Sequence, residues 1–188
     1  MQFDTLRTVQ AAAVLLKLEG GRMTRLRLLK LLYIADRESM AETARPITAD
    51  NVVAMDHGPV LSQTYKLIRG EAGAENAVWD KYIARDGARD HVLTSDPGEG
   101  QLSDYFITKL RGISALRRGM TDYQIADETH LFPEWIKNQP PEGSKQDIPL
   151  HDILDALGMT QYEQQFVQEQ QDEAAFDAAL ASVRGSAA

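Results

Sequence analysis

The stretch from Thr24 to Met40 constrains the fold of this chain more than any other. It contains five Leu, one Ile, one Tyr and one Met without Gly or Pro, and it therefore predicts a helix. On a wheel of about 3.6 residues per turn, only a narrow stripe of Arg27, Lys30 and Arg37 is polar. A helix that is apolar over most of its circumference is buried on several sides. We therefore expect a compact domain around this helix, which is too short and too charged to span a membrane.

The composition narrows the chemistry that this chain can perform. Its 188 residues are enough for one domain with a hydrophobic core, and they include no cysteine. A thiol nucleophile, a zinc–cysteine site and a disulfide scaffold are therefore excluded, and the composition fits a reducing compartment. The N-terminal residues lack the basic start and the cleavage site of a signal peptide. We expect a soluble, cytoplasmic protein that does not enter a membrane.

The negative charge is concentrated towards the C-terminus. The chain has a net charge of −8, and residues 142–180 hold nine acidic residues and one lysine, so the remainder is close to neutral. An excess of negative charge disfavours non-specific binding to nucleic acid. Two interpretations of the acidic segment stay open: it is a solvated face, or it is a surface that attracts a basic partner.

Hydrophobic periodicity and turn signals predict a mainly α fold with a small β-hairpin and a C-terminal helical extension. Further helices are predicted at 3–18, 60–69, 103–116, 121–128, 148–157 and 160–183. Two short apolar runs, 78–83 and 91–94, flank Asp86-Gly87 and predict the hairpin. Segment 139–147, which contains two prolines and a glycine, predicts a linker. The chain then divides into a helical domain (1–138), this linker and an acidic helical extension (148–188).

No catalytic or metal-binding pattern stands out in the sequence. The four histidines have none of the spacings typical of metal sites, and no serine-nucleophile or phosphate-loop motif is present. An enzyme would have to use dispersed residues such as Asp36, His57 and His130, which makes this the least favoured class. We predict no catalytic residues, no metal ion and no cofactor.

Several polar residues have both a structural and a functional interpretation. Asp36 falls on an apolar side of the central helix. It either accepts a hydrogen bond from a backbone amide or an arginine in the loop after that helix, or it is the acid of a functional pocket. His57-Gly58-Pro59 predicts a sharp turn that opens the helix at 60–69, because Pro suits the first helical position. His130 and Trp135 are equally ambiguous, since a Trp after a Pro-Glu turn is commonly a core anchor.

A DNA-binding regulator is the main alternative to a protein-binding module. Helices 3–18 and 24–40 have the order of a helix-turn-helix. The second carries the basic residues Arg25, Arg27, Lys30 and Arg37, and another basic cluster lies at 109–118. A recognition helix must leave one broad face free for the major groove. Because 24–40 is apolar over most of its surface, the sequence disfavours nucleic-acid binding.

Four motifs follow one another in the order of a known family. They are L-L-K-L-L-Y-I-A-D-R-E at 28–38, R-P-I-T at 45–48, H-G-P-V at 57–60, and H-x-x-x-x-W at 130–135. Together they resemble the SocA-like antitoxin family, whose shared unit is the Panacea domain, over about residues 22–140. The candidate partner-binding or family-motif residues are Lys30, Tyr33, Asp36, Arg37, His57, Gly58, Pro59, Tyr65, His130 and Trp135.

The resemblance implies a mostly helical domain that neutralises a cognate protein toxin of a bacterial or phage-borne toxin–antitoxin system. Some family members bind their toxins directly, and at least one type acts as an adaptor that delivers the toxin to a protease. The motif residues either touch the toxin or hold the fold, and both interpretations stay open. The acidic segment after residue 139 lies outside the shared unit. It either carries partner specificity or only packs on the domain.

Overall fold

The computed structural model describes residues 2–168, 171–172 and 175–176. Helix predominates over strand in these residues, as predicted for a mainly α fold. The helices are Thr5–Leu18 (α1), Arg25–Thr43 (α2), Ser62–Arg69 (α3), Asn76–Asp80 (α4), Asp104–Arg117 (α5), Asp122–Thr129 (α6), Pro133–Lys137 (α7) and Leu150–Ala156 (α8). The strands are Arg22–Thr24 (β1), Val52–Met55 (β2), Gly58–Leu61 (β3), Ile83–Asp86 (β4), Asp90–Leu93 (β5) and Gln146–Ile148 (β6). Residues 163–168 are also helical.

Helix α2 begins where the sequence predicts. The Thr24 hydroxyl accepts a hydrogen bond from the backbone amide of Arg27 at 3.2 Å, which satisfies an amide that has no partner within the helix. The helix runs past Met40 to Thr43, and the residue that follows it, Ala44, has a left-handed backbone. Twelve of its residues are buried, and it packs against α1, α5, α6 and β3. None of the helices that the structure describes is long and apolar enough to cross a membrane.

The predicted hairpin is present, but its first strand lies further along the chain. Strands β4 and β5 pair antiparallel, and β1 adds to β5 to give a three-stranded sheet in the order β1-β5-β4. The first strand was expected at 78–83, but residues 78–80 belong to α4. The Trp79 side chain, on this helix, is buried. The Asn76 side chain donates a hydrogen bond to the Leu67 carbonyl at 2.9 Å. These tertiary contacts favour a short helix over an extended strand.

The prediction that His57-Gly58-Pro59 opens a helix was wrong. Residues 58–61 form strand β3, and Pro59 pairs with Ala54 of β2. Pro lacks a backbone donor, so it is tolerated here because β3 is an edge strand. Helix α3 starts only at Ser62, where the Asp50 carboxylate accepts the amides of residues 63 and 64 at 2.9 and 2.8 Å.

A second sheet contains strand β6, which overlaps the end of the predicted linker. Its order is β3-β2-β6, with Val52 opposite Ile148. Helix α8 packs against α7, and its residues Ile153 and Leu154 are buried. Residues between 146 and 166 therefore contribute to the same core as α2. Most of the helix predicted to run to residue 183 lies outside the described residues.

Candidate functional site

The family motifs meet where α2 packs against the turn between β2 and β3. The Lys30 ammonium on α2 donates to the Pro59 carbonyl at 2.8 Å. Gly58 has a φ of +94°, and a Cβ at this position would lie 2.3 Å from the Thr129 hydroxyl oxygen and 2.8 Å from the Lys30 Nζ. Both the backbone conformation and the space available therefore require glycine. Three motifs that are remote in sequence converge on this one turn.

The polar stripe of α2 is not a solvated face at Lys30. Its side chain is 0% exposed, and burial lowers its pKa to about 7. Arg27 is buried too, and it donates to the carbonyls of Met120 and Arg117 at 2.9 and 3.0 Å. These carbonyls lie at the C-terminal end of α5, where a cation complements the helix dipole. The wheel could not reveal this arrangement, because it holds no information about the chain that covers α2.

His130 and Trp135 fasten the α6–α7 segment to the β2–β3 turn. Their rings are stacked with centroids 4.3 Å apart, and the Trp135 indole nitrogen donates to the Met55 carbonyl at 3.1 Å. The His130 Nε2 is buried without a hydrogen-bond partner in the described structure. Burial and the charge of Lys30 lower the pKa of His130, so the neutral imidazole is favoured. The H-x-x-x-x-W motif thus joins two elements that are distant in the sequence.

Glu134 is a central residue that the sequence analysis missed. Its side chain is 0% exposed, and it accepts hydrogen bonds from the Tyr33 hydroxyl at 2.7 Å and the Arg37 Nε at 2.6 Å. The Arg37 guanidinium also lies 4.3 Å from the centre of the Phe132 ring. Burial and the neighbouring carboxylate raise the pKa of Tyr33. The only local signal for this residue was its position after Pro133 in the first turn of a short helix.

Asp36 is bonded to the R-P-I-T motif. Its carboxylate accepts the amides of Ile47 and Thr48 at 3.0 and 2.9 Å and the Thr48 hydroxyl at 2.5 Å. These backbone bonds are the structural interaction that the sequence predicted for this residue. Burial raises the pKa of Asp36 to about 7, although the bonds from Thr48 and Ile47 oppose the shift. Two family motifs are therefore joined here as well.

Two cavities are lined by candidate residues. A cavity of about 330 Å³ is bordered by Lys30, His57, Gly58 and Tyr65, and we name it the α2–turn cavity. A smaller one of about 80 Å³, nearer the C-terminal end of α2, is bordered by Tyr33, Asp36 and Arg37. Seven of the ten candidate residues thus line two separate cavities along α2, whereas Pro59, His130 and Trp135 are in the lining of neither, so the ten do not converge on one centre.

Two of the four cations in the second basic cluster, Lys109 and Arg117, are paired with acidic side chains within the protein. The Lys109 ammonium lies 2.6 Å from Glu42 and 3.3 Å from Glu38. Arg117 is buried and paired with Glu128. These cations are therefore not free to contact phosphates. In the part of the chain that the structure describes, no group of three or more His, Asp and Glu side chains is placed to hold a metal ion.

Comparison with known proteins identifies the family. Residues 28–136 match the family model described as antitoxin SocA-like, Panacea domain. No curated protein and no solved structure matches the chain. The matched region contains every motif whose contacts are described above. Because it spans more than half of the 188 residues, the chain belongs to the SocA-like antitoxin family, which carries the Panacea domain.

Proposed function

We propose that this protein is a cytoplasmic antitoxin that neutralises a cognate protein toxin by binding it directly. The observation that carries the proposal is the family match over residues 28–136, which coincides with the motif contacts around α2. The toxin would come from a bacterial or phage-borne toxin–antitoxin pair. Delivery of the bound toxin to a protease is a second mode of neutralisation compatible with the same complex.

The polar groups of the motifs support a binding module rather than an enzyme. The Asp36 carboxylate is bonded to backbone amides, the Glu134 carboxylate to Tyr33 and Arg37, and the Lys30 ammonium to a carbonyl. An acid or base needs an open approach to a substrate. These groups are instead used to join α2 to its neighbours, so the motifs act mainly by holding one surface in a fixed shape.

The surface of the α6–α7 segment is our candidate for the toxin contact. Tyr123, Leu131 and Ile136 are 62%, 75% and 57% exposed. Exposed apolar side chains on a rigid support are typical of protein-binding surfaces. The segment is held in place by Trp135 and Glu134, which are buried beneath it. The motifs and this surface would then act together, because the buried contacts fix the exposed residues.

Co-expression with the product of the adjacent gene tests the proposal. We expect the neighbour alone to arrest growth, and the full chain to restore growth and co-purify with it. The double variant Leu131→Glu with Ile136→Glu should lose rescue. Leu116→Glu should retain it, because Leu116 is 77% exposed but lies on α5. A neighbour that remains toxic and does not co-purify with the wild-type chain would refute the proposal. Equal loss in the α5 control would refute the assigned surface.

A further inference from the structure

The α2–turn cavity has the size and lining of a small-molecule site. Its volume of about 330 Å³ lies near the lower end of the range for such sites, which is roughly 300–1,000 Å³. One part of its wall is apolar or aromatic, and it consists of Leu26, Leu29, Val60, Tyr65 and Tyr123. Such a wall suits a flat or aliphatic body that leaves water on binding.

Two arginines border this cavity without ionic partners. The backbone amide of Arg25 donates to the Arg89 carbonyl at 2.7 Å, which holds the two residues side by side. Neither guanidinium has an ion pair or hydrogen bond with the residues that the structure describes. Arg25 is also the first residue of α2, where a cation is unfavourable for the helix dipole. Helix stability therefore does not explain an arginine at this position.

The acidic groups at the cavity are already engaged. Asp122 accepts the Thr24 hydroxyl at 2.5 Å and lies 3.9 Å from the Arg27 guanidinium. The carboxylate of Asp56 accepts the Gly143 amide at 3.0 and 3.1 Å. Both carboxylates thus accept hydrogen bonds from groups outside the arginine pair, whereas the guanidiniums of Arg25 and Arg89 have no partner among the described residues.

We propose that the α2–turn cavity binds a small organic anion. Its aromatic or aliphatic body lies against Leu29, Val60 and Tyr65, and its carboxylate or phosphate is bound by Arg25 and Arg89. Guanidinium groups bind both anions through paired hydrogen bonds. Because the chain as a whole carries a net charge of −8, attraction of an anion requires this local arrangement. The site adjoins the proposed toxin surface, because Tyr123 borders both, but the two arginines that bind the anion lie outside that surface.

Calorimetric titration of the full-length protein with simple probes tests the site. Phenyl phosphate and benzoate combine a ring with an anion, benzyl alcohol keeps the ring alone, and inorganic phosphate keeps the anion alone. We expect saturable binding of one equivalent of phenyl phosphate or benzoate, and binding weaker by about tenfold or more for the other two probes. Absence of saturable binding by either ring-containing anion, or equally tight binding of benzyl alcohol, would overturn the proposal.

Variants locate the anion within the molecule. The double variant Arg25→Gln with Arg89→Gln should weaken phenyl phosphate binding by about tenfold or more, since it removes two charge-assisted contacts. The double variant Arg111→Gln with Arg118→Gln is the matched control, because it removes the same number of positive charges at two exposed positions outside the cavity. It should bind phenyl phosphate as the wild type does. The same loss of phenyl phosphate affinity in both variants would show general charge attraction and overturn the assignment. Unchanged thermal unfolding verifies that each variant is folded.

Discussion

Substitution of the buried Lys30 by Met should change how the stability of this protein depends on pH. Burial lowers the pKa of Lys30 from 10.5 to about 7, whereas in the unfolded chain the ammonium is solvated and keeps its ordinary pKa. Between these two values the unfolded chain binds up to one proton more than the folded chain. The free energy of unfolding of the wild type therefore increases as the pH rises through this window.

The size of this effect follows from the pKa. When the unfolded chain binds one proton more than the folded chain, the free energy of unfolding rises by about 1.4 kcal/mol per pH unit. Between pH 7.5 and 9.5 the Lys30 contribution to the free energy of unfolding should therefore rise by about 2.5 kcal/mol. Lys30→Met keeps an unbranched side chain but cannot titrate, so the variant should lack this rise. Loss of the hydrogen bond to the Pro59 carbonyl is a separate destabilising contribution that does not affect the slope.

Urea denaturation at pH 7.5, 8.5 and 9.5, followed by tryptophan fluorescence, measures these slopes. This pH window lies outside the ranges in which Asp36 and the tyrosines titrate. Folding raises the pKa of Asp36 from 3.8 to about 7. The stability that this shift contributes is lost as the pH rises between these two values, which is below the window. Unfolded tyrosines titrate near pH 10, above the window. Lys145→Met, at an exposed position, is the control and should keep the wild-type slope. Equal slopes for Lys30→Met and the wild type would refute the account of a buried cation.

Three further predictions concern the contacts around α2. Gly58→Ala should lower the free energy of unfolding by about 3 kcal/mol, because its Cβ would lie 2.3 Å from the Thr129 hydroxyl oxygen and φ is +94°. Glu134→Gln should cost about 1–3 kcal/mol in the same urea assay, because Arg37 loses its ionic partner. Truncation after residue 138 should cost about 5 kcal/mol or more, because it removes β6 and the buried side chains of α8.

Each of these predictions has its own control or contradictory result. Gly87→Ala also has a positive φ, +67°, but no atom lies within 4 Å of its added Cβ, so it should cost only about 1 kcal/mol. Equal losses at both glycines would contradict the close packing at the turn. Wild-type stability of Glu134→Gln would show that the bonds to Tyr33 and Arg37 contribute nothing. A chain truncated after 138 that unfolds like the full chain would show that β6 is dispensable.

The helices were predictable because their boundary signals are local. The hydroxyls of Thr24, Ser103 and Thr121 each cap a helix that begins where the sequence predicts. The capping box formed by Thr121 and Gln124 is also present. Capping depends on residues within one turn of the helix start, so a single sequence contains the necessary information.

The second sheet and the buried charges were not predictable in the same way. Strand β3 contains a proline and borders a helix, and strand β6 reaches β2 from almost a hundred residues further along the chain. Such pairing depends on tertiary packing and has no local pattern. Lys30 and Glu134 appear as ordinary surface residues in the sequence, because their partners belong to other elements. The motif residues were therefore found, but their division between two cavities was not.

The structure also changes how the acidic C-terminal segment should be tested. If its charge steers a basic toxin, its removal should slow association, and this effect should shrink at high salt. A cut after 138 would remove core residues together with the charge, so the two causes would be confounded. A cut after 168 removes acidic residues while it retains β6 and α8.

The most direct test of the central claim is a binding measurement between the purified full-length protein and the purified product of the adjacent gene. Size-exclusion chromatography with light scattering reports whether the two form a complex, and an activity assay of the toxin reports whether that complex is inactive. We predict a stable complex in which toxin activity is lost, and loss of the complex for Leu131→Glu with Ile136→Glu. Two proteins that elute separately, with the toxin fully active at an excess of this protein, would contradict the assignment as a directly binding antitoxin.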